Sequence, residues 1–180
     1  MIYVFLAKGF EEIEALTVVD YLRRAEMEVY PVGIGGKIIT GSHNIPVFCD
    51  LDEKETTFDN LDAIVLPGGM PGTLNLEANE TVNKFIDYCA SNNKYICAIC
   101  AAPSILGHKG LLKGRKACCF PGFEEELDGG EVTRDFVCTD DKYITAKGMG
   151  AAIEFSRAIV TELLDHKTAD RIKLSLQCPF

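Results

Sequence analysis

Tyr95-Ile96-Cys97-Ala98-Ile99-Cys100-Ala101-Ala102-Pro103 is the stretch that decides how this chain is read. Its first five residues form an unbroken apolar run, the pattern of a strand buried on both faces. The run passes through a cysteine into small residues and a proline. Proline suits the first turn of a helix, where its missing N–H costs nothing, so a helix is expected just after Cys100. Ala98, Ala101 and Ala102 leave room for a sharp strand-to-helix turn, the arrangement of a nucleophile elbow, with Cys100 projecting from the sheet edge. Unpaired amides and the macrodipole at a helix start favour a thiolate. In such a setting a cysteine can fall from about 8.5 to below roughly 7.5. The bland alternative is a buried structural cysteine.

Working outward, strand-like and helix-like patterns alternate along the chain. Strands are expected at 2–6, 28–34, 63–66, 95–99, 116–120, 136–139 and 143–146, with a small hairpin of 37–40 and 45–49 around Gly41-Ser42-His43-Asn44. Helices are expected at 12–24, 80–91 and 150–164, with a short last one at about 169–176. Val82, Phe85, Ile86 and Cys89 hold the i, i+3, i+4, i+7 spacing of a helix face. Such alternation, with fully apolar strands, predicts an α/β fold with a parallel sheet covered on both faces. Ligands bind beyond the carboxyl ends of the strands in such sheets, and three motifs fall there. The elbow is one. The second is Pro67-Gly68-Gly69-Met70-Pro71-Gly72, whose glycines let amides point into a cleft, as a nest or oxyanion hole requires. The amides of Gly69 and Ala101 could converge on one oxyanion. The third is Gly9-Phe10-Glu11-Glu12-Ile13-Glu14. Glu11 and Glu12 are accounted for by the macrodipole. Glu14 lies near Ile13 and Leu16 and is expected to face inward, with a raised pKa suited to donating a hydrogen bond or to acid–base work.

Several classes are disfavoured. The 180 residues suit one domain, 1–180, and the formal charge of −9 with a pI near 4.8 repels phosphate backbones, so nucleic acid is not an expected partner. No apolar run is long enough to span a bilayer, and the N-terminus reads as a buried strand rather than a signal segment, so a cytoplasmic protein is expected. Eight cysteines in a core-rich chain read as reduced thiols, not a disulfide framework. Cys97 and Cys100 form a C-x-x-C, yet alternation places them on opposite faces, against a redox pair. Cys118-Cys119 reads as strand core. His43, His108 and His166 are scattered, so no zinc set is expected, and no phosphate-binding loop is present in the sequence.

These three motifs, in this order, resemble the ThiJ/PfpI superfamily, in the branch of the Parkinson's-disease-associated protein deglycase and its bacterial relatives. The likeness runs from Met1 to about Leu176 and is carried by Phe10-Glu11-Glu12-Ile13-Glu14, Leu66-Pro67-Gly68-Gly69, Ala98-Ile99-Cys100-Ala101-Ala102-Pro103 and Lys147-Gly148-Met149-Gly150. The resemblance implies a flavodoxin-like three-layer sandwich, a homodimer, and no cofactor. It implies that Cys100 is the reactive, oxidisable cysteine, that Glu14 is the acid hydrogen-bonded to it, and that Gly68, Gly69 and Ala101 line the anion pocket. Arg24 and His43 fall where relatives often carry two arginines near the site and dimer interface; His43 departs from that pattern. Phe120, before Pro121, stands where animal members carry a histidine, which puts a histidine proton relay in doubt. Ala101 stands where the protease-like branch carries a histidine, so no general base for peptide hydrolysis is visible. The activity implied is a cofactor-independent glyoxalase or deglycase acting on small reactive dicarbonyls such as methylglyoxal. The alternatives are an oxidative-stress sensor or redox-regulated chaperone using the same cysteine, and a structural domain with a fossil site.

Overall fold

Side chains alternate across a strand, and here both sides are covered. The computed structural model describes residues 1–178. Along the chain the elements are β1 (Ile2–Leu6), α1 (Glu12–Arg24), β2 (Val29–Gly33), β3 (Ile38–Thr40), β4 (Pro46–Phe48), β5 (Leu51–Asp52), β6 (Ala63–Leu66), α2 (Gly72–Glu77), α3 (Glu80–Ser91), β7 (Tyr95–Ile99), α4 (Pro103–His108), β8 (Lys116–Ala117), β9 (Glu131–Val132), β10 (Val137–Asp140), β11 (Tyr143–Ala146), α5 (Ala152–Leu163) and α6 (His166–Ser175). Seven strands form one sheet in the order β10-β11-β7-β6-β1-β2-β5. Every neighbouring pair is parallel except β10 with β11. The run β2-β1-β6-β7-β11 is the flavodoxin-like order, which reverses direction between β1 and β6.

The alternation builds two cores. Ile2, Val4 and Leu6 of β1, with Cys97 and Ile99 of β7, pack under α1 and α5 against Val18, Leu22, Phe155 and Ile159. Tyr3 and Phe5, with Ile96 and Ala98, pack on the other side against Phe85, Ile86, Ile105 and Leu106 of α3 and α4. The fold is therefore an α/β three-layer sandwich with a mostly parallel sheet. Among the described residues, no helix is long and apolar enough to cross a membrane.

Differences from the sequence reading are local. The strand expected at 116–120 is only Lys116–Ala117, paired in parallel with β9, because the chain then turns toward Cys100. α6 begins at His166, three residues early, since Asp165 caps it by accepting from the Thr168 amide at 2.8 Å. The helix expected just after Cys100 is α4, which begins at Pro103 and has six residues. β5, β9 and α2 were not anticipated; two-residue strands carry no periodicity to read.

Candidate active site

Cys100 sits between the end of β7 and the start of α4 with φ +65°. A non-glycine residue rarely adopts this left-handed conformation, and it persists only where the surroundings hold it. They do so here. The Cys100 amide donates to the Ala146 carbonyl of β11 at 2.9 Å, and the Phe120 amide donates to the Cys100 carbonyl at 2.8 Å. Both backbone groups of the cysteine are thus tied to neighbouring chain segments, and its side chain is left partly exposed.

Three strand ends meet at that side chain. Glu14 arrives from the first turn of α1, after β1. Glu11 caps this helix, its carboxylate accepting from the Glu14 amide at 2.8 Å. The turn directs Glu14 inward, where it is 1% exposed. Its Oε2 accepts from the Gly68 amide at 2.9 Å, after β6, and the Met149 amide also donates to the carboxyl. The Cys100 thiol shares a hydrogen bond with the same carboxyl, and the amides of Gly69 and Ala101 donate to its sulfur. Gly68 must be glycine: an added Cβ would stand 2.5 Å from the Cys100 Cβ and 2.8 Å from Glu14 Oε2. These groups collect where the strand order reverses, the usual ligand position in such sheets.

The electrostatics correct one expectation. Burial pushes Glu14 up from 4.5 to about 7, against the lowering effect of the Gly68 amide and the thiol. Burial, the nearby Glu14 charge and the hydrogen bond to it push Cys100 up to about 12, and the Gly69 and Ala101 amides only partly offset this. The sulfur is therefore not a free low-pKa thiolate made by a helix terminus. α4 is one short turn and a half, and it begins three residues after Cys100. Sulfur and carboxyl share one buried site, so the charge of either disfavours the charge of the other.

Arg24 lies at the far end of α1, ~15 Å along the helix from Glu14 at 1.5 Å per residue. It is exposed and paired with Asp20 at 2.6 Å, so it is not brought to the site. His43 reaches Glu12, not the sulfur: its Nδ1 lies 2.8 Å from Glu12 Oε2, and its amide donates to Oε1 at 2.7 Å. Glu12 is thus not a solvated first-turn acid. It is 4% exposed; burial works to raise its pKa, yet the bonds from the His43 ring and amide outweigh it and hold it at about 2. Cys97 is fully buried on the opposite side from Ala98, and burial carries its thiol well above the ordinary value. His108 bridges Glu77 and Glu126 on the surface. Phe120, set by the resemblance where animal relatives carry a histidine, is joined to the cysteine by the hydrogen bond its amide donates to the Cys100 carbonyl. Sequence reasoning missed the Met149 amide. The Lys147-Gly148-Met149-Gly150 segment was the available signal.

Comparison with known proteins bears on the family and the fold. The chain matches the DJ-1/PfpI family over residues 1–162 and belongs to it. It is 34% identical over 161 residues to Protein DJ-1 homolog B of Arabidopsis thaliana; the match covers 88% of this chain and 37% of that longer protein. A glutathione-independent glyoxalase of Caenorhabditis elegans is 32% identical, covering 85% of this chain and 82% of the relative. A deglycase of Pyrococcus abyssi is 29% identical, covering 88% and 96%. The crystal structure of a mutant DJ-1 superfamily protein from Salmonella typhimurium superposes with a TM-score of 0.94 at 32% identity, over 99% of this chain and 98% of that one.

Proposed function

We propose that this chain is a cofactor-independent glyoxalase of the deglycase type, converting small 2-oxoaldehydes such as methylglyoxal to 2-hydroxy acids. The observation that carries the reading is the Cys100–Glu14 pair, one buried carboxyl sharing a proton with one reachable sulfur under two amide donors. The names of the glyoxalase and deglycase relatives support the same chemistry. The sulfur adds to the aldehyde carbon, its proton passing to Glu14 as the S–C bond forms. The Gly69 and Ala101 amides stabilise the oxyanion, which Glu14 then protonates to a hemithioacetal. The carboxylate next removes the hydrogen on that carbon as a proton and returns it to the neighbouring carbonyl carbon, while the hemithioacetal hydroxyl proton passes to the second oxygen, leaving a thioester beside a new hydroxyl. The first carbon is oxidised and the second reduced, so no external electron carrier enters the balance. Water then cleaves the thioester and frees Cys100. A pKa near 7 suits a group that both gives and takes a proton at neutral pH.

The test is lactate release from methylglyoxal by the intact protein, compared with Cys100→Ala and Glu14→Gln. Loss of at least ~100-fold in each variant is expected, the scale of a lost general acid–base group. Equal turnover in all three removes the proposal.

A second reading uses the same pair. Cys100 is partly exposed and adjoins a carboxyl that, protonated, can donate to an oxidised sulfur, so a redox sensor or redox-regulated chaperone would hold the sulfinate there. Mild peroxide should then add two oxygens at Cys100 alone, and spread over Cys49, Cys118 and Cys138 argues against it. A homodimer is proposed through the outward face of α1, where Ile13 and Leu16 lie exposed beside Ile45 and Ile153 around a hollow of about 550 Å³.

A further inference from the structure

Beside the reacting pair lies a second, apolar recess of about 240 Å³, walled by Phe120, Phe136, Gly148, Met149 and the stem of Lys147. Phe120 is 46% exposed, Phe136 67% and Met149 51%, a concentration of uncovered large apolar side chains at the mouth of a buried polar site. We infer that this recess receives the substituent on the ketone carbon of the 2-oxoaldehyde, and that Phe120 makes the enzyme prefer aryl over methyl substituents. The inference rests on the reaction proposed above and names its substrate class.

The two oxygens of Glu14 fix the direction. Oε2 faces Gly68 and Cys100. Oε1 faces Gly148: a Cβ placed on that glycine would lie 3.7 Å from Oε1 and 3.2 Å from Cδ2 of the Phe120 ring. The Met149 amide donates to the same carboxyl. A proton carried from the sulfur-bound carbon to its neighbour therefore travels toward the Phe120 side. The second carbon's substituent is left against the ring. Phe120 is also held in place by the hydrogen bond its backbone amide donates to the Cys100 carbonyl.

The size and polarity of the recess select the substituent. An apolar cavity of roughly 150 Å³ accommodates benzene, so a phenyl group fits where a methyl leaves most of the space to water. The one cation on the wall is already engaged: Lys147 Nζ donates to the Arg134 carbonyl at 2.7 Å and stands 5.4 Å from the centre of the Phe136 ring. Nothing on these walls is left to draw a charged substituent.

The test measures kcat/KM for phenylglyoxal and methylglyoxal, read as mandelate and lactate, in the wild type, Phe120→Ala and Phe120→Tyr. The wild type should favour phenylglyoxal by roughly tenfold, the scale of aromatic and apolar pocket contacts. Phe120→Ala should erase that ratio through KM, and Phe120→Tyr should keep it. A wild-type preference for methylglyoxal, or a ratio untouched by Phe120→Ala, overturns the inference. Absence of turnover with both aldehydes removes the reaction instead. The recess is then judged by protection of Cys100 from iodoacetamide. Mandelate protecting at a concentration roughly tenfold below lactate supports it, and equal concentrations overturn it.

Discussion

Glu14 and Cys100 set each other's protonation, so neither can be read alone. The carboxyl is buried enough to prefer its proton until about 7, and burial of the sulfur, joined above that point by the carboxylate's charge, keeps the sulfur's own proton on until about 12. Alkylation of Cys100 by iodoacetamide should accordingly rise in two steps with pH. Glu14→Gln removes the step near 7 and moves the remaining one below 12, because the opposing charge is gone while the Gly69 and Ala101 amides stay. An unchanged profile would mean that the two groups are not coupled. The same shift has a stability consequence. A carboxyl raised from 4.5 to about 7 in the folded chain favours folding below 4.5, and that contribution is lost as the pH climbs toward about 7. The pairing of Cys100 with Glu14 was legible from the strand-end motifs. The direction of the thiol shift was not, since it depends on how closely a carboxylate from another strand approaches.

Helix α1 carries carboxylates in two opposite regimes within one turn. Glu14 points to the sulfur, while Glu12 is clamped by the His43 ring and amide and by Ser42 of the β3–β4 loop. Gly41 of that loop lies directly against the Glu12 carboxyl, which leaves no room for a side chain there. The loop is therefore pinned to the helix by a charge that exists only when Glu12 is ionised. Its pKa is lowered from 4.5 to about 2, so its contribution is present above 4.5 and disappears as the pH falls toward about 2. Urea midpoints should drop across that window in the wild type and drop less in Glu12→Gln; identical slopes would show that the clamp adds nothing. In α5, Phe155 is fully buried in the core beneath α1. Phe155→Ala should cost about 3–5 kcal/mol in urea unfolding, the range for emptying an aromatic core position. The long elements were legible because apolar spacing over 12 or 13 residues, as in α3 and α1, repeats its signal. Short pieces such as β5 exist only because β2 offers them an edge.

At the scale of the whole molecule, another apolar face is left unburied. Ile13, Leu16, Ile45 and Ile153 come from α1, the loop before β4 and α5, and a chain that ended its burial there would keep a sizeable apolar patch in water. Sedimentation should show a dimer for the wild type and a monomer for Leu16→Asp, which places a charge in the middle of the patch; a monomeric wild type would remove the proposal. The face is separate from the Phe120–Phe136–Met149 recess, so the two can be tested independently.

Apolar runs and small-residue turns were enough, without coordinates, to place the longer strands, the two-sided sheet, the cysteine at a strand end and the glycines beside it, because each is a local pattern read over a few residues. The partners of Glu12, the mutual effect of the sulfur and its acid on each other's protonation, and the aromatic wall of Phe120 all arise from segments far apart in the chain. Contacts of that kind depend on distances of a few ångströms between strands and loops brought together by burial, and no local spacing encodes them.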